Sequence, residues 1–169
     1  MRNWVVIVTT LILLVAVNLG IASRERLVEH GRIVLLELAP VDPRSLMQGD
    51  YMALRFRAAD GARVGADYLQ FADGRMVLGV DARGVGEFRR LDTGAPLGAD
   101  EARLRYRVRN GDVKLATNAF FFEEGTADAY DTARYGEFRV ADDGDAILTG
   151  LRDKDLAQLG APRQPPRFP

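Results

Sequence analysis

One uncharged segment near the N-terminus constrains this chain more than any other feature. It runs from Trp4 to Ile21 and is ended by the charged residues that begin at Arg24. As a helix it would be about 27 Å long, which is close to the roughly 30 Å hydrocarbon core of a bilayer. The segment therefore predicts a single transmembrane helix at the start of the 169-residue chain.

The same segment also has features of a signal peptide, so two interpretations stay open. Gly20, Ala22 and Ser23 are small residues that suit a cleavage site. Against cleavage, the apolar stretch is longer than usual, and Trp4 is suited to anchor a spanning helix at the membrane interface. We favour an uncleaved signal anchor in the inner (cytoplasmic) membrane.

The layout divides the chain into three parts. Residues 1–23 are the predicted anchor, residues 24–160 a single domain, and residues 161–169 an extended proline-rich tail. A short N-terminal tail favours a cytoplasmic N-terminus, so the domain is expected to be extracytoplasmic, or periplasmic.

Composition limits the chemistry that the chain offers. The net charge of −1 gives no overall attraction to nucleic acid, and without cysteine there is no disulfide or thiolate ligand. His30 is the only histidine, so we expect no metal site and no cofactor. The acidic "DDGD" stretch from Asp142 to Asp145 fits a hairpin turn better than a calcium loop.

Alternating apolar and polar residues predict a mainly β (α+β) domain, with one rolled or barrel-like antiparallel sheet. In the strand predicted over Tyr51–Arg57, Met52, Leu54 and Phe56 share the core face. The other predicted strands are Ile33–Leu38, Arg75–Asp81, Gly86–Leu91, the two arms around Asn110-Gly111, Glu137–Val140 and Ala146–Leu151. A single short helix is predicted over Ala127–Tyr135, with Thr126 as N-cap and Gly136 after its end.

Two groups of charged residues are candidate sites. One is an arginine face, which would bind anionic lipid or an envelope polymer, or would only keep sheet edges apart. Its members are Arg103, Arg105, Arg107 and Arg109, with Arg55 and Arg57 nearby. The other is a set of carboxylates, Asp50, Glu123 and Glu124, which a hydrolase could use as general acid and base.

The stretch "SLMQGDYMAL" also resembles the region around the catalytic serine of type I signal peptidases. In those enzymes the serine stands eight residues before the glycine, and that position here is Val41. Ser45 is displaced from it, so acyl-enzyme chemistry is not expected. What remains is a turn in which Gly49 gives backbone freedom and Asp50 can bond to nearby amides.

The segment "APVDPRSLMQGDYMALRF", with the N-terminal helix, "FFFEEG" and "DGDAILTGL", resembles the GDYXXLXY family of small bacterial membrane-anchored proteins. Gly49, Asp50, Tyr51 and Leu54 fill the named positions, and Phe56 replaces the final tyrosine. The resemblance implies a companion of a polytopic membrane protein. We therefore expect a non-enzymatic accessory or binding subunit, with Asp50 and Tyr51 as a structural corner first and a docking site second.

Overall fold

The computed structural model describes residues 2–39, 47–48, 51–65, 72–117 and 119–160. It begins with helix α1, Arg2–His30, which is long and apolar enough over Trp4–His30 to cross a membrane. The most apolar window of this helix is not buried against the rest of the described chain. The helix continues past the anchor that the sequence predicts, so the step from apolar to charged residues at Arg24 lies inside one continuous helix.

Two polar side chains within the apolar segment bond to their own helix. The Thr9 hydroxyl donates to the Val5 carbonyl at 2.9 Å, and the Asn18 amide donates to the Leu14 carbonyl at 2.8 Å. Both groups are thereby satisfied locally, as expected for helix positions in hydrocarbon. Neither bond requires a second helix.

Helix α1 enters the domain through a single residue, Gly31. The Gly31 N–H donates to the Leu27 carbonyl at 2.9 Å, and Arg139 donates to the Gly31 carbonyl at 3.2 Å. A Cβ at Gly31 would lie 2.9 Å from Cδ1 of Leu27, so a larger residue has no space there. Leu27 is itself buried. We call this arrangement the Gly31 junction.

The remaining elements form a mainly β domain with one short α-helix and one 3-10 turn in the described residues. The strands are β1 Arg32–Glu37, β2 Met47–Gln48, β3 Tyr51–Ala53, β4 Gly74–Val80, β5 Val85–Leu91, β6 Glu101–Arg109, β7 Asp112–Leu115, β8 Ala119–Phe121, β9 Tyr135–Val140, β10 Ala146–Arg152 and β11 Gln158–Leu159. The α-helix is α2 Arg57–Gly65, and the 3-10 turn is Ala127–Tyr130.

Most of the strands belong to one eight-stranded mixed sheet. Its order is β11-β10-β9-β1-β5-β4-β6-β7, and a second sheet has the order β2-β3-β8. Strands β1 and β5 are parallel, with Leu35 opposite Val85, whereas the other neighbours in the large sheet are antiparallel. In the described residues the sheet starts at β11 and ends at β7. The predicted mainly β domain is confirmed, but its large sheet is mixed rather than antiparallel and does not close into a barrel within the described residues.

The core lies where the large sheet meets α2 and the small sheet. Met52, Leu54 and Phe56 are buried in it, which confirms the core face predicted for this segment. The strand itself is shorter than predicted, because it ends at Ala53 and α2 begins at Arg57. Helix α2 contributes buried alanines, which allow its backbone to approach the sheet closely. They are Ala58, Ala59 and Ala62.

The predicted helix over Ala127–Tyr135 is wrong in type and extent. Only Ala127–Tyr130 is helical, as a 3-10 turn, and Tyr135 already begins β9. The Thr126 hydroxyl does not cap the turn but donates to the Glu123 carbonyl at 2.6 Å. Tyr130 holds the turn in place, since its ring packs on Phe120 with 5.1 Å between ring centroids. Packing, rather than capping, fixes this turn.

A buried carboxylate joins the last three strands. Glu137 on β9 is buried, and it accepts hydrogen bonds from Thr149 at 2.9 Å and from Arg152 Nε at 2.6 Å. Arg152 also donates to the Leu156 carbonyl at 2.6 Å. The Glu137–Arg152 pair therefore connects β9, β10 and the turn that leads to β11.

Candidate functional site

The exposed side of the small sheet carries an aromatic pair. Tyr51 on β3 lies directly opposite Phe121 on β8, and their ring centroids are 5.9 Å apart. Tyr51 is 37% exposed and Phe121 is 62% exposed. The neighbouring pair, Met52 and Phe120, points into the core. Two adjacent exposed rings form a small apolar surface of the kind that binds partners. We call it the Tyr51–Phe121 pair.

The later motif residues have a structural role. Leu54 and Phe56 are almost completely buried, and Phe56 forms a backbone bridge with Leu38. The Phe56 ring packs edge-on against Phe138, with 5.2 Å between centroids. A Cβ at Gly136 would lie 2.8 Å from Cε1 of Phe56, so this glycine makes room for the ring. The motif thus combines a buried anchor with an exposed tyrosine.

Gly49 and Asp50 lie outside the described residues. The roles predicted for them, a turn glycine and a backbone-bonding or docking carboxylate, therefore stay predictions. The alternation that buries Met52 places the Tyr51 ring on the opposite, exposed face of β3.

The arginine face on β6 is largely matched by acids. Arg103 donates to Asp92 at 2.6 Å, and Arg105 lies 2.9 Å from Asp145. Arg109 similarly pairs with Asp73 at 2.9 Å. Within the described chain, Arg107 is the member of this group for which the structure shows no ion pair of its own.

Hydrogen bonds lower the pKa of two of the paired acids, Asp73 and Asp92. Hydrogen bonds from the Val108 N–H and from Arg109 lower the pKa of Asp73 below its usual range. Burial alone would raise the pKa of Asp92, but hydrogen bonds from Arg103 and the Gly94 N–H outweigh it and lower the pKa. The arginine face is therefore largely neutralised by ion pairs, which leaves less positive charge to bind an external anion.

Arg55 and Arg57 do not share the acids that pair with β6. Arg55 donates to Asp60 of α2 at 2.8 Å, and this bond raises the pKa of Arg55. Arg57 lies 3.4 Å from Glu37. The structure therefore places these two arginines in local pairs at the start of α2.

The candidate catalytic acids are not gathered in a pocket among the described residues. Glu123 and Glu124 are both exposed in the segment between β8 and the 3-10 turn. No group of three or more potential metal ligands occurs in the described chain. Whether Asp50 approaches either glutamate lies outside the described residues.

Sequence reasoning missed a groove beside the Tyr51–Phe121 pair. It has a volume of about 340 Å³ and is bounded by Arg24 of α1, by β8 and by the start of β10. Phe120, Phe121, Ile147 and Leu148 contribute to its lining, and Thr117 adds a polar group. We call it the helix-end groove. It places the exposed aromatic pair next to the point where α1 changes from apolar to charged.

A model of one protein family, described as GDYXXLXY protein, matches residues 13–151. No curated protein and no solved structure matches the chain. The match covers the second half of the apolar helix and the domain through β10, including the buried anchor and the exposed tyrosine of the motif. The chain therefore belongs to the GDYXXLXY family.

Proposed function

We propose that this protein is a single-pass, non-enzymatic subunit that binds a polytopic membrane protein through the Tyr51–Phe121 pair. The observation that carries the proposal is the position of this pair beside the helix-end groove, which includes Arg24 of α1. An aromatic surface at this level can reach the parts of an integral membrane protein that emerge from the bilayer. The motif supports the assignment because one of its named residues is the exposed Tyr51.

Physical chemistry favours this surface over other described parts of the domain. Tyrosine and other aromatic residues supply much of the energy in protein interfaces, since a rigid ring buries a large area at low entropy cost. The described large hydrophobic residues that are exposed outside α1 are Ile33, Tyr51 and Phe121. Two of the three are in contact with each other, so they form a surface rather than isolated positions.

Two alternatives have weaker support. An anion-binding domain would rely on the arginine face, but Arg103, Arg105 and Arg109 already pair with acids. An envelope hydrolase would rely on Asp50 with Glu123 or Glu124, and both glutamates are exposed. General acid–base catalysis needs carboxylates in contrasting environments, which the two adjacent exposed glutamates do not supply.

Alanine at Tyr51 or Phe121 is expected to reduce recovery of a membrane partner about tenfold or more, because each change removes an exposed ring from the proposed interface. The full-length protein, tagged at its C-terminus, is purified from gently solubilised membranes, and the retained proteins are quantified by mass spectrometry. Ile33→Ala is the matched control, since Ile33 is an exposed apolar residue on β1. Equal recovery with all three variants would contradict docking through this pair.

The proposed orientation has a direct test because the chain contains no cysteine. Asp155→Cys places a single thiol at a position whose side chain is 74% exposed. In spheroplasts with an intact cytoplasmic membrane, a membrane-impermeant maleimide is expected to label this thiol fully. Labelling only after lysis would place the domain in the cytoplasm. A Met1 extension carrying one cysteine is the control and is expected to show the opposite pattern.

A further inference from the structure

We infer that the helix-end groove binds one anionic phospholipid from the membrane leaflet in which α1 ends. Phe120, Phe121 and Leu148 contribute apolar residues to its lining, and Arg24 supplies a cation at its boundary. At about 340 Å³ the groove falls at the small end of the range for ligand sites, roughly 300–1,000 Å³. This volume suits the headgroup and upper part of a lipid rather than a whole molecule. The inference rests on the proposed membrane anchoring.

The level of the groove along the membrane normal indicates its occupant. Arg24 follows Ile21 by three residues on one continuous helix, so it lies about 4.5 Å farther along the helix axis. The headgroup region adds roughly 5–7 Å on each side of the hydrocarbon core. When the apolar segment spans the core, Arg24 therefore lies among the headgroups. The molecules most concentrated at that depth are the phospholipids of the same leaflet.

The charge at the groove favours an anionic headgroup. In the described chain no ion pair involves Arg24, and its guanidinium can donate to two oxygens of one phosphate. A zwitterionic headgroup would bring an ammonium group close to the same guanidinium, which is unfavourable. A phosphatidylglycerol headgroup carries neutral hydroxyls instead. The groove should therefore prefer phosphatidylglycerol to phosphatidylcholine.

The apolar part of the groove fits the first carbons of an acyl chain. Ala116, Ala119 and Ala146 bound it, and their small side chains leave the space that a larger residue would fill. Phe121 and Ile147 add apolar side chains to the lining. Phe121 thus contacts both the proposed lipid and Tyr51, so the lipid would lie next to the proposed docking surface.

The test measures lipid retention by the full-length protein in detergent, using native mass spectrometry after incubation with phosphatidylglycerol or phosphatidylcholine. The wild type is expected to retain one phosphatidylglycerol at concentrations where phosphatidylcholine is lost. Arg24→Gln is expected to weaken retention about tenfold, because it removes a charged donor. Ala119→Leu fills the groove from the exposed side of β8 and should also weaken retention. Arg26→Gln removes the same charge two residues away and should have no effect.

Three results would overturn the inference. They are equal loss in the Arg24 and Arg26 variants, equal retention of the two lipids, and no retention by the wild type. Alkaline extraction of the source membranes distinguishes a failure of the lipid-site inference from a failure of the proposed membrane anchoring. A protein that resists extraction but shows none of the expected selectivity retains its anchor and loses the lipid site. Release of the protein by alkali would contradict both the anchoring and the lipid site, since the groove would then not lie at a membrane leaflet that could supply the lipid.

Discussion

Replacing Phe56 with alanine is expected to destabilise the domain by about 3–5 kcal/mol. The ring is 1% exposed and packs against Phe138, and Gly136 leaves space for it. Truncation would remove these contacts and leave a cavity. The backbone bridge between Leu38 and Phe56 restrains the chain at this position, so the surroundings cannot easily move in to fill that cavity. Urea unfolding of the full-length protein in detergent, followed by near-UV circular dichroism, measures the change.

Phe121→Ala is the matched control for this prediction. It removes the same side chain, but from a position that is 62% exposed, so the expected change is about 1 kcal/mol or less. Similar losses of stability for the two variants would show that Phe56 does not anchor the core. The expected pattern is reversed for partner binding, where Phe121 carries the effect.

Arg152→Met is expected to cost about 3 kcal/mol, because it leaves the buried Glu137 carboxylate without its cation. The same change breaks the hydrogen bond from Arg152 to the Leu156 carbonyl. Chemical denaturation of the full chain gives the free energy of unfolding. A double variant with methionine at both Glu137 and Arg152 is expected to recover most of the loss, since apolar residues can replace a buried pair.

Arg83→Met is the control for the buried pair. Arg83 lies 3.0 Å from Asp81, but its side chain is 68% exposed, so its loss should change stability by at most about 1 kcal/mol. A loss as large as that of Arg152→Met would show that burial of Glu137 does not determine the effect. A double variant less stable than either single variant would also contradict the proposed ion-pair role.

Local patterns in the sequence were sufficient to predict the hairpins. Asn110 and Gly111 have φ angles of 55° and 77°. These are the positive values that an Asn-Gly dipeptide predicts for a two-residue hairpin turn. The alternation of arginine with apolar residues along β6 likewise gave its buried and exposed faces. These features depend on neighbours in the chain, so the sequence carries them directly.

Helix α2 was missed because its sequence contains a poor helix former. Gly61 lowers helix propensity, yet a Cβ at this position would lie 2.7 Å from the Phe88 Cβ. The glycine therefore allows α2 to approach β5. The residue that weakens the local helix signal is the one that the tertiary packing requires.

The parallel pairing of β1 with β5 could not be predicted from periodicity. Both strands have ordinary apolar patterns, and the choice of neighbour depends on contacts between residues about 50 positions apart, such as Leu35 and Val85. The barrel-like expectation failed for the same reason. Strand order is a property of the whole fold rather than of any one segment.

The candidate site was predicted in part. Tyr51 was identified from the motif, and the structure places its ring on the face of β3 opposite the buried Met52. Phe121 was missed although the run Phe120 to Phe122 contained a signal, because alternation along a strand exposes one ring when it buries the next. The contribution of Arg24 to the helix-end groove depends on how α1 meets β8 and β10, which no local pattern specifies.

The Gly31 junction leaves no linker between α1 and the domain. One residue separates the helix from β1, Leu27 is packed, and Arg139 of β9 holds the Gly31 carbonyl. Because β1 lies between β9 and β5 inside the large sheet, a change of tilt or rotation in the helix is transferred to the centre of the domain rather than absorbed by a linker. If α1 spans the membrane as proposed, a change in its tilt would act directly on β1, and through the sheet on the strands that flank it.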